Sequence, residues 1–186
     1  LRHTAVIPVA GNQVTSDIAK IFRTPLSHAE DIKVQYACAL RQMVSMEENI
    51  EVPSVGGRPA RSMSRHTLAE VVEPRYHELF ELIQEELREA GLADQIAAGY
   101  VLTGGTAQME GVVEFAEEVF QMPVRVAKPK DVSGLKEYVD DSTYATVVGL
   151  LHYGMQANEQ HSIESKKSEG IASITSRLLA WFKGEF

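Results

Sequence analysis

The feature that most constrains this chain is a glycine turn between a strand pattern and a helix pattern, in residues 99–120. Tyr100 to Thr103 form a short run of strand-forming residues, which predicts a strand. After the turn, apolar side chains recur at helical spacing and predict a helix; they are Met109, Val112, Val113, Ala116 and Phe120. The period changes at Gly104-Gly105-Thr106, where the missing Cβ atoms let a ligand lie against backbone at the positive end of a helix.

The same turn has a plain structural interpretation, because many αβ proteins place glycines there for steric reasons alone. It lacks the Lys-Ser/Thr of a Walker loop and the spacing of the dinucleotide-binding GxGxxG. A nucleotide at this turn would therefore bind in another manner.

Composition limits the classes of function that fit. The 186 residues carry a net charge of −8, which argues against a nucleic-acid partner. The sequence has no apolar run of about 18 residues that would predict a membrane-spanning helix. The single cysteine, Cys38, cannot form an internal disulfide and fits a core position in a reducing cytoplasm. Because the chain lacks an initiating Met and opens directly into a strand pattern, we expect it to be a fragment of a larger protein.

A second strand-glycine-helix unit is predicted at the start of the chain. The strand covers residues 2–9, the turn is Ala10-Gly11-Asn12, and the helix covers about 15–22.

A further helix is predicted over residues 28–40, because Ser27 and Glu30 have the spacing of a capping box. Glu30 and Lys33 lie about one turn apart on it. Taken alone, that spacing favours a solvated ion pair.

The sequence predicts a hairpin over residues 50–64 around Gly56-Gly57. Arg58, Arg61 and Arg65 follow its turn. Two interpretations of these arginines stay open: a charged edge that discourages strand aggregation, or a docking site for an acidic peptide.

Two more helices are predicted after the hairpin. One runs from a capping box at Thr67 and Glu70 to Gly91, with a kink or a split at Pro74. The other covers residues 142–154, which are small and apolar nearly all round, as in a buried helix.

The C-terminal segment predicts a tethered amphipathic helix. Residues 155–170 are polar and predict a flexible linker, while residues 171–186 place their apolar side chains on one helical face. A long tether and flanking aromatic residues are typical of a helix that lies in a membrane interface; packing on its own domain is the alternative. The side chains predicted at the membrane are Ile174, Leu178, Leu179, Trp181, Phe182 and Lys183.

Together these segments resemble the FtsA family of actin-like bacterial cell-division proteins. The resemblance is carried by AGNQVTSDIA from Ala10, AEDIKVQYACA from Ala29, VPSVGGRPAR from Val52, TLAEVVEPRYHEL from Thr67, VLTGGTAQMEG from Val101, and the terminal LLAWFKGEF. It implies part of an α/β (mixed α+β) actin-like ATPase fold. The implied division is residues 1–24 in subdomain 2A, 25–97 in subdomain 2B, 98–140 in subdomain 2A with the adenosine motif, 141–154 as the last helix of subdomain 1A, 155–170 as the linker, and 171–186 as the membrane helix.

The resemblance also implies an ATP site. It places Gly104, Gly105, Thr106 and Met109 at the adenosine, Glu30 and Lys33 at the adenine and ribose, and Gly11 and Asn12 near the phosphates. The family's two phosphate hairpins and its Asp near Mg²⁺ have no counterpart in this sequence. ATP with Mg²⁺ is therefore expected to need residues outside this chain, and no catalytic or metal-ligating residue is assigned.

The partner implied by the resemblance is the C-terminal peptide of the tubulin-like division protein FtsZ. It is expected at Arg75, in EPRY, with Arg61 as a second candidate. The alternative for Arg75 is an ion pair with Glu78 on its own helix.

The function implied is an ATP-binding adaptor more than an enzyme. It would form filaments, tie the FtsZ ring to the cytoplasmic face of the bacterial inner membrane, and recruit other division proteins at the division site. The rival from another class is a sugar-kinase-like or chaperone-like ATPase of the actin superfamily, which would lack the membrane tail.

Overall fold

The computed structural model describes residues 1–56, 58–132 and 139–157. The helices of this part of the chain, in order, are α1 (Gly11–Phe22), α2 (Leu26–Tyr36), α3 (Arg65–Glu89), α4 (Val112–Phe120) and α5 (residues 145–157). The strands are β1 (Asn49–Val52), β2 (Arg61–Ser64), β3 (Tyr100–Leu102) and β4 (Val124–Val126). This mixture of helices and short strands confirms the expected mixed α/β class.

The strand, glycine turn and helix at the centre of the sequence are confirmed as β3, the turn and α4. A 3₁₀ turn, Gly105–Gln108, lies between them, and α4 begins only at Val112 because Gly111 breaks the chain direction at φ 72°. β4 pairs in parallel with β3, with Val101 opposite Arg125. The unit is thus a βαβ unit, in which α4 forms the crossover connection that two parallel strands require.

The strand predicted over residues 2–9 is wrong. This segment is mostly exposed and forms no ladder with any described strand. A strand needs a partner for its backbone groups, and local sequence does not supply one. The predicted turn at Ala10-Gly11-Asn12 is also wrong, because α1 begins at Gly11, four residues before the expected start.

The capping box predicted at Ser27 is wrong as well. α2 begins two residues earlier than predicted, at Leu26, with Pro25 as its N-cap, and the Ala29 N–H donates to the Pro25 carbonyl at 2.9 Å. The fixed φ of proline suits the entry to a helix, so Pro25 determines this boundary. α2 ends at Tyr36, and Cys38 lies beyond it, fully buried in an extended bridge to Glu110.

The hairpin is confirmed, with Val52 opposite Arg61 and Asn49 opposite Ser64. α3 follows β2 without a loop, and the Ser64 hydroxyl accepts from the His66 N–H at 3.2 Å. The helix therefore begins before the capping box predicted at Thr67. It also runs unbroken through Pro74, so the predicted split is wrong.

One hydrophobic core joins the helices. α1 packs against α2 and α3, and α3 packs against α4, burying Phe22, Ile18 and Leu68 almost completely. Aromatic rings continue this core towards β3: Phe80 lies 5.7 Å from Phe115 and 5.1 Å from Phe120 between ring centroids. Such edge and offset contacts add to the stabilisation that burial provides.

The predicted buried helix over 142–154 differs from what the structure shows. A 3₁₀ turn, Ser142–Tyr144, precedes α5, which continues to residue 157 and so covers the first three residues of the predicted linker. Val148 of this helix is buried, but its apolar residues Val147, Leu150 and Leu151 are exposed in the described chain. Apolar composition indicates that a helix can be buried, but only tertiary contacts bury it.

None of the described helices is long and apolar enough to cross a membrane. The rest of the predicted linker and the whole predicted membrane helix, residues 158–186, lie outside the described residues. The subdomain boundaries inferred from the resemblance stay predictions.

Candidate functional site

A cavity of about 730 Å³ opens between the N-terminus of α1, the inner face of α2 and the glycine turn. Seven of the eight residues predicted at the nucleotide line it: Gly11, Asn12, Glu30, Lys33, Gly105, Thr106 and Met109. The eighth, Gly104, lies just before the lining. Three segments that are far apart in sequence therefore meet at one site.

The floor of the cavity is the start of α1. Gly11 and Asn12 are its first two residues, and its first turn carries no acidic side chain. The first N–H groups of a helix have no partner within the helix and carry its positive partial charge. This end of the cavity is therefore suited to a negatively charged ligand group.

Gly11 also lets the floor meet the glycine turn. A Cβ at this position would lie 2.4 Å from Cγ2 of Thr106, far inside any permitted contact. The glycine at position 11 is thus required by the close approach of two walls.

The α2 wall is built around the ammonium of Lys33, which is buried. Nζ donates to Glu30 Oε2 at 2.7 Å, to Thr15 Oγ1 at 2.9 Å and to the Gly11 carbonyl at 3.3 Å. These three acceptors match its three donors, which a buried ammonium requires. Lys33 therefore joins α2 to the first turns of α1.

Glu30 is about half exposed at the rim of the cavity, next to Lys33. Burial would raise its pKa, but hydrogen bonds from Lys33 and Thr15, together with the ammonium charge, outweigh burial and lower it. Glu30 is thus a carboxylate held ionised, with oxygen lone pairs that can accept from a ligand hydroxyl.

The two glycines of the turn have different physical roles. Gly104 has φ 91°, a conformation that other L residues rarely adopt. Gly105 has no such constraint, since a Cβ there would make only ordinary contacts of 3.7 and 3.9 Å with Thr143. The fold therefore requires glycine at 104, whereas at 105 glycine keeps space open at the cavity wall.

Contacts from two other elements hold the turn in place. The Tyr76 hydroxyl, on α3, donates to the Thr106 carbonyl at 3.1 Å, and burial raises the pKa of Tyr76. The Ser142 hydroxyl donates to the Gly104 carbonyl, while the Gly104 N–H donates to the Ser142 carbonyl, both at 3.0 Å. The backbone of the turn is thus fixed before any ligand arrives.

Sequence reasoning missed Thr15, which supports the cavity from α1, and several residues that line it. Thr15 forms hydrogen bonds with both Glu30 and Lys33. It lies one helical turn after Gly11, but this relation could not be predicted because the helix was expected to begin only at about Thr15. Thr143 lines the cavity because Asp141 caps its N–H at 2.7 Å, a signal visible in the sequence Asp-Ser-Thr. The remaining missed lining residues are Ala10, Val34, Gln35, Ala37, Gln108 and Glu110.

The two arginines predicted at a partner peptide both have contacts within the chain. Arg75 Nη2 lies 2.6 Å from Asp17 Oδ2 on α1, and its Nη1 pairs with Glu78. The hydrogen bond that Arg75 donates to Asp17, together with the ionic attraction of Asp17 and Glu78, outweighs desolvation and raises the pKa of Arg75. Arg61 donates to the Phe22 carbonyl at the C-terminal end of α1. The alternative of an ion pair with Glu78 is therefore present in the structure, together with a second pair to Asp17.

Two further expectations concern metal and membrane. Among residues 1–56, 58–132 and 139–157, no three His, Cys, Asp or Glu side chains cluster in a way that would hold a metal ion. The predicted membrane side chains, Ile174 to Lys183, lie outside the described residues.

Comparison with known proteins identifies one family. The family model described as "Cell division protein FtsA" matches residues 1–149. The chain is 53% identical over 192 residues to the FtsA of Pseudomonas aeruginosa, and 50% identical over 195 residues to that of Escherichia coli strain K12. Each match covers 100% of this chain and 46% of the relative, so the chain spans about half the length of the curated relatives it matches.

Solved structures support the fold. MreB 5 of Spiroplasma citri bound to AMPPNP superposes with a TM-score of 0.64 at 20% identity, covering 84% of this chain and 46% of that one. The ADP-bound form of the same protein gives the same score and identity. At this identity the likeness shows the actin-like fold, which is the fold that the family resemblance implied.

The Lys33 to Glu30 contact generates a pH prediction. Because the folded pKa of Glu30 is lowered, this carboxylate stabilises the fold above its unfolded pKa of about 4.3, and that contribution is lost as the pH falls through the folded value. In Lys33→Met only burial and the Thr15 bond remain, so we expect the pKa of Glu30 to rise. Carboxyl ¹³C titration measures it, with Lys20→Met, on the exposed side of α1, as the control. An unchanged Glu30 pKa in Lys33→Met would contradict the assigned cause.

Proposed function

We propose that the cavity of this chain, which belongs to the FtsA family of cell division proteins, binds the nucleoside half of ATP. The observation that carries the proposal is the convergence of seven nucleotide candidates on one cavity of about 730 Å³. That volume lies in the usual range of small-molecule sites, about 300–1,000 Å³. The solved neighbours, named as bound to AMPPNP and to ADP, support a nucleotide as the ligand.

The chemistry of the walls suggests how the nucleotide lies. The bare backbone at Gly105 and Thr106 offers a flat surface for the base and sugar. The carboxylate of Glu30 accepts from ribose hydroxyls, and the buried methylenes of Lys33 offer apolar contact to the base. The phosphates then extend towards the N-terminus of α1 at Gly11 and Asn12.

The proposed role of ATP is structural rather than catalytic. The carboxylates that line the described cavity, Glu30 and Glu110, each face a cation, Lys33 or Arg65, and are acceptors rather than free bases. Mg²⁺ would be held by the phosphates and by residues outside this chain, as the family resemblance implies. The proposed role of the chain is that of an ATP-dependent assembly module that forms filaments, and the actin-like fold supports it.

The proposed setting is the cytoplasmic face of the inner membrane at the division site. The amphipathic pattern of residues 171–186 supports attachment by the C-terminal helix, which would tie the FtsZ ring to the lipid and bring other division proteins to it.

The membrane anchor is tested by flotation with anionic liposomes. The double variant Trp181→Gln with Phe182→Gln is expected to leave the membrane fraction, because its apolar face loses both aromatic side chains. The polar-face control, Ser173→Gln with Ser176→Gln, is expected to stay in it. A double aromatic variant that still floats would remove the anchor from the proposal.

The nucleotide site is tested by substituting Gly105 in the full-length protein. Valine there adds a branched side chain at the cavity wall, and its Cβ would make only ordinary contacts with Thr143, so we expect ATP affinity to fall by about tenfold or more. Gly149→Val is the matched control, because a Cβ at 149 meets nothing within 4 Å and lies on α5, outside the cavity lining. Equal ATP affinity in both variants, measured by titration calorimetry, would mean that the turn is only structural.

The FtsZ peptide site is tested at the Asp17 to Arg75 pair. An acidic peptide at Arg75 must compete with Asp17 and Glu78 for the guanidinium, so Asp17→Asn should strengthen peptide binding and Arg75→Glu should abolish it. Arg88→Glu, further along the same helix, is the control. Fluorescence anisotropy of the labelled FtsZ tail peptide gives the affinities, and unchanged binding in Arg75→Glu would exclude this residue from the docking site.

A further inference from the structure

Arg65 connects three segments that are distant in sequence. Its Nε donates to the Tyr36 carbonyl at the end of α2 at 2.7 Å, and its Nη1 to Glu48 Oε2 at 2.8 Å, just before the hairpin β1–β2. Its Nη2 donates to the carboxylate of Glu110, beside the glycine turn. The planar guanidinium fork suits this arrangement because it presents donors in several fixed directions.

One of these three partners, Glu110, lines the cavity. A second, Tyr36, lies between two residues of α2 and its end that line it, Gln35 and Ala37. The walls meet behind Arg65, where the Ala39 N–H donates to the Glu110 carbonyl at 2.8 Å. Gly111 allows the two walls to approach closely here, because a Cβ there would lie 3.0 Å from Cys38 Sγ and 3.1 Å from Met43 Sδ. The spacing of the walls is therefore fixed at a joint that Arg65 covers.

The third partner, Glu48, directly precedes the hairpin. The backbone N–H of Arg65 also donates to the Glu48 carbonyl, at 2.8 Å, so both its side chain and its main chain hold the base of β1. The Arg65 side chain is only 16% exposed, whereas Glu48 and Glu110 are about half exposed. Burial alone would lower the pKa of Arg65, but its bonds to Glu48 and Glu110 outweigh burial and raise it. The contacts are therefore between charged groups that water screens only in part.

From this geometry we infer that Arg65 is a positioning residue that couples the width of the cavity to the hairpin β1–β2. A ligand that draws the α2 wall and the glycine turn together acts through Glu110 and Tyr36 on the guanidinium, and through Glu48 on the hairpin. The ligand-dependent half of this inference rests on the proposed nucleotide site. The mechanical half does not, since the contacts are present in the chain without a ligand.

The coupling in the chain without ligand is tested by removing the contact of Arg65 on one side and measuring hydrogen exchange on the other side. In the full-length protein, Glu110→Gln removes only the ionic contact on the cavity side. It is expected to speed amide hydrogen exchange in the hairpin, at Ile50 and Val52, by about threefold to tenfold. Glu48→Gln removes the hairpin contact and should speed exchange at Ala39 on the cavity side. Arg88→Gln, which breaks an exposed pair with Glu85 on the same helix, is the control. Exchange that changes only on the side of each substitution would overturn the coupling.

The ligand-dependent part of the inference is tested by measuring hydrogen exchange in wild type and in Arg65→Gln, each with and without AMPPNP. In wild type the nucleotide should slow exchange in the hairpin as well as at Ala39 and Ala107. In Arg65→Gln the hairpin response should disappear, while the cavity response remains. A hairpin response of equal size in both proteins would overturn the inference and leave the nucleotide site standing. Absence of any cavity response in wild type would instead contradict the proposed nucleotide site, and the single-arm variants would still decide the coupling. They also decide it if Arg65→Gln does not fold.

Discussion

The buried ammonium of Lys33 is the interaction on which the candidate site depends. A charge taken out of water without partners costs several kcal/mol, and Lys33 has an acceptor for each of its three donors. Those acceptors come from α1 and α2, so satisfying the charge fixes the two helices relative to each other. One side of the resulting junction is the wall of the cavity.

The other walls follow from close approaches that only glycine allows. Gly11 brings the start of α1 against Thr106, and Gly111 brings the turn against Cys38. The Tyr76 hydroxyl then anchors the turn to α3, and Arg65 anchors the far edge to the hairpin. A site assembled this way is already shaped for a ligand, so binding need not supply the ordering that a flexible loop would require.

The local parts of this structure could be predicted from the sequence. Strand patterns with glycines at their turns predicted β3, the glycine turn and the hairpin, because period and turn chemistry act over a few residues. The predictions that were wrong depended on distant contacts. Residues 2–9 have strand composition but form no ladder with a described strand, and residues 142–154 have the composition of a buried helix, although Val147, Leu150 and Leu151 are exposed.

The cavity could be predicted only in part. Spacing placed Glu30 and Lys33 on one face of a helix, but a solvated ion pair explained that spacing equally well. Their assignment to a nucleotide came from family resemblance, and the partner that buries Lys33, Thr15, lies 18 residues away in sequence. The sequence allowed two interpretations of Arg65, a charged strand edge or a docking site for an acidic peptide. Its contacts with positions 36, 48 and 110 could not be predicted, because these residues are adjacent only after folding.

The central claim is that the Lys33 junction between α1 and α2 builds a nucleotide site. The most direct measurement is the dissociation constant for AMPPNP of the full-length protein carrying Lys33→Met, compared with wild type and with Lys20→Met. The account predicts that affinity falls by about tenfold or more in Lys33→Met and stays unchanged in Lys20→Met. A folded Lys33→Met protein that binds AMPPNP as tightly as wild type would contradict it.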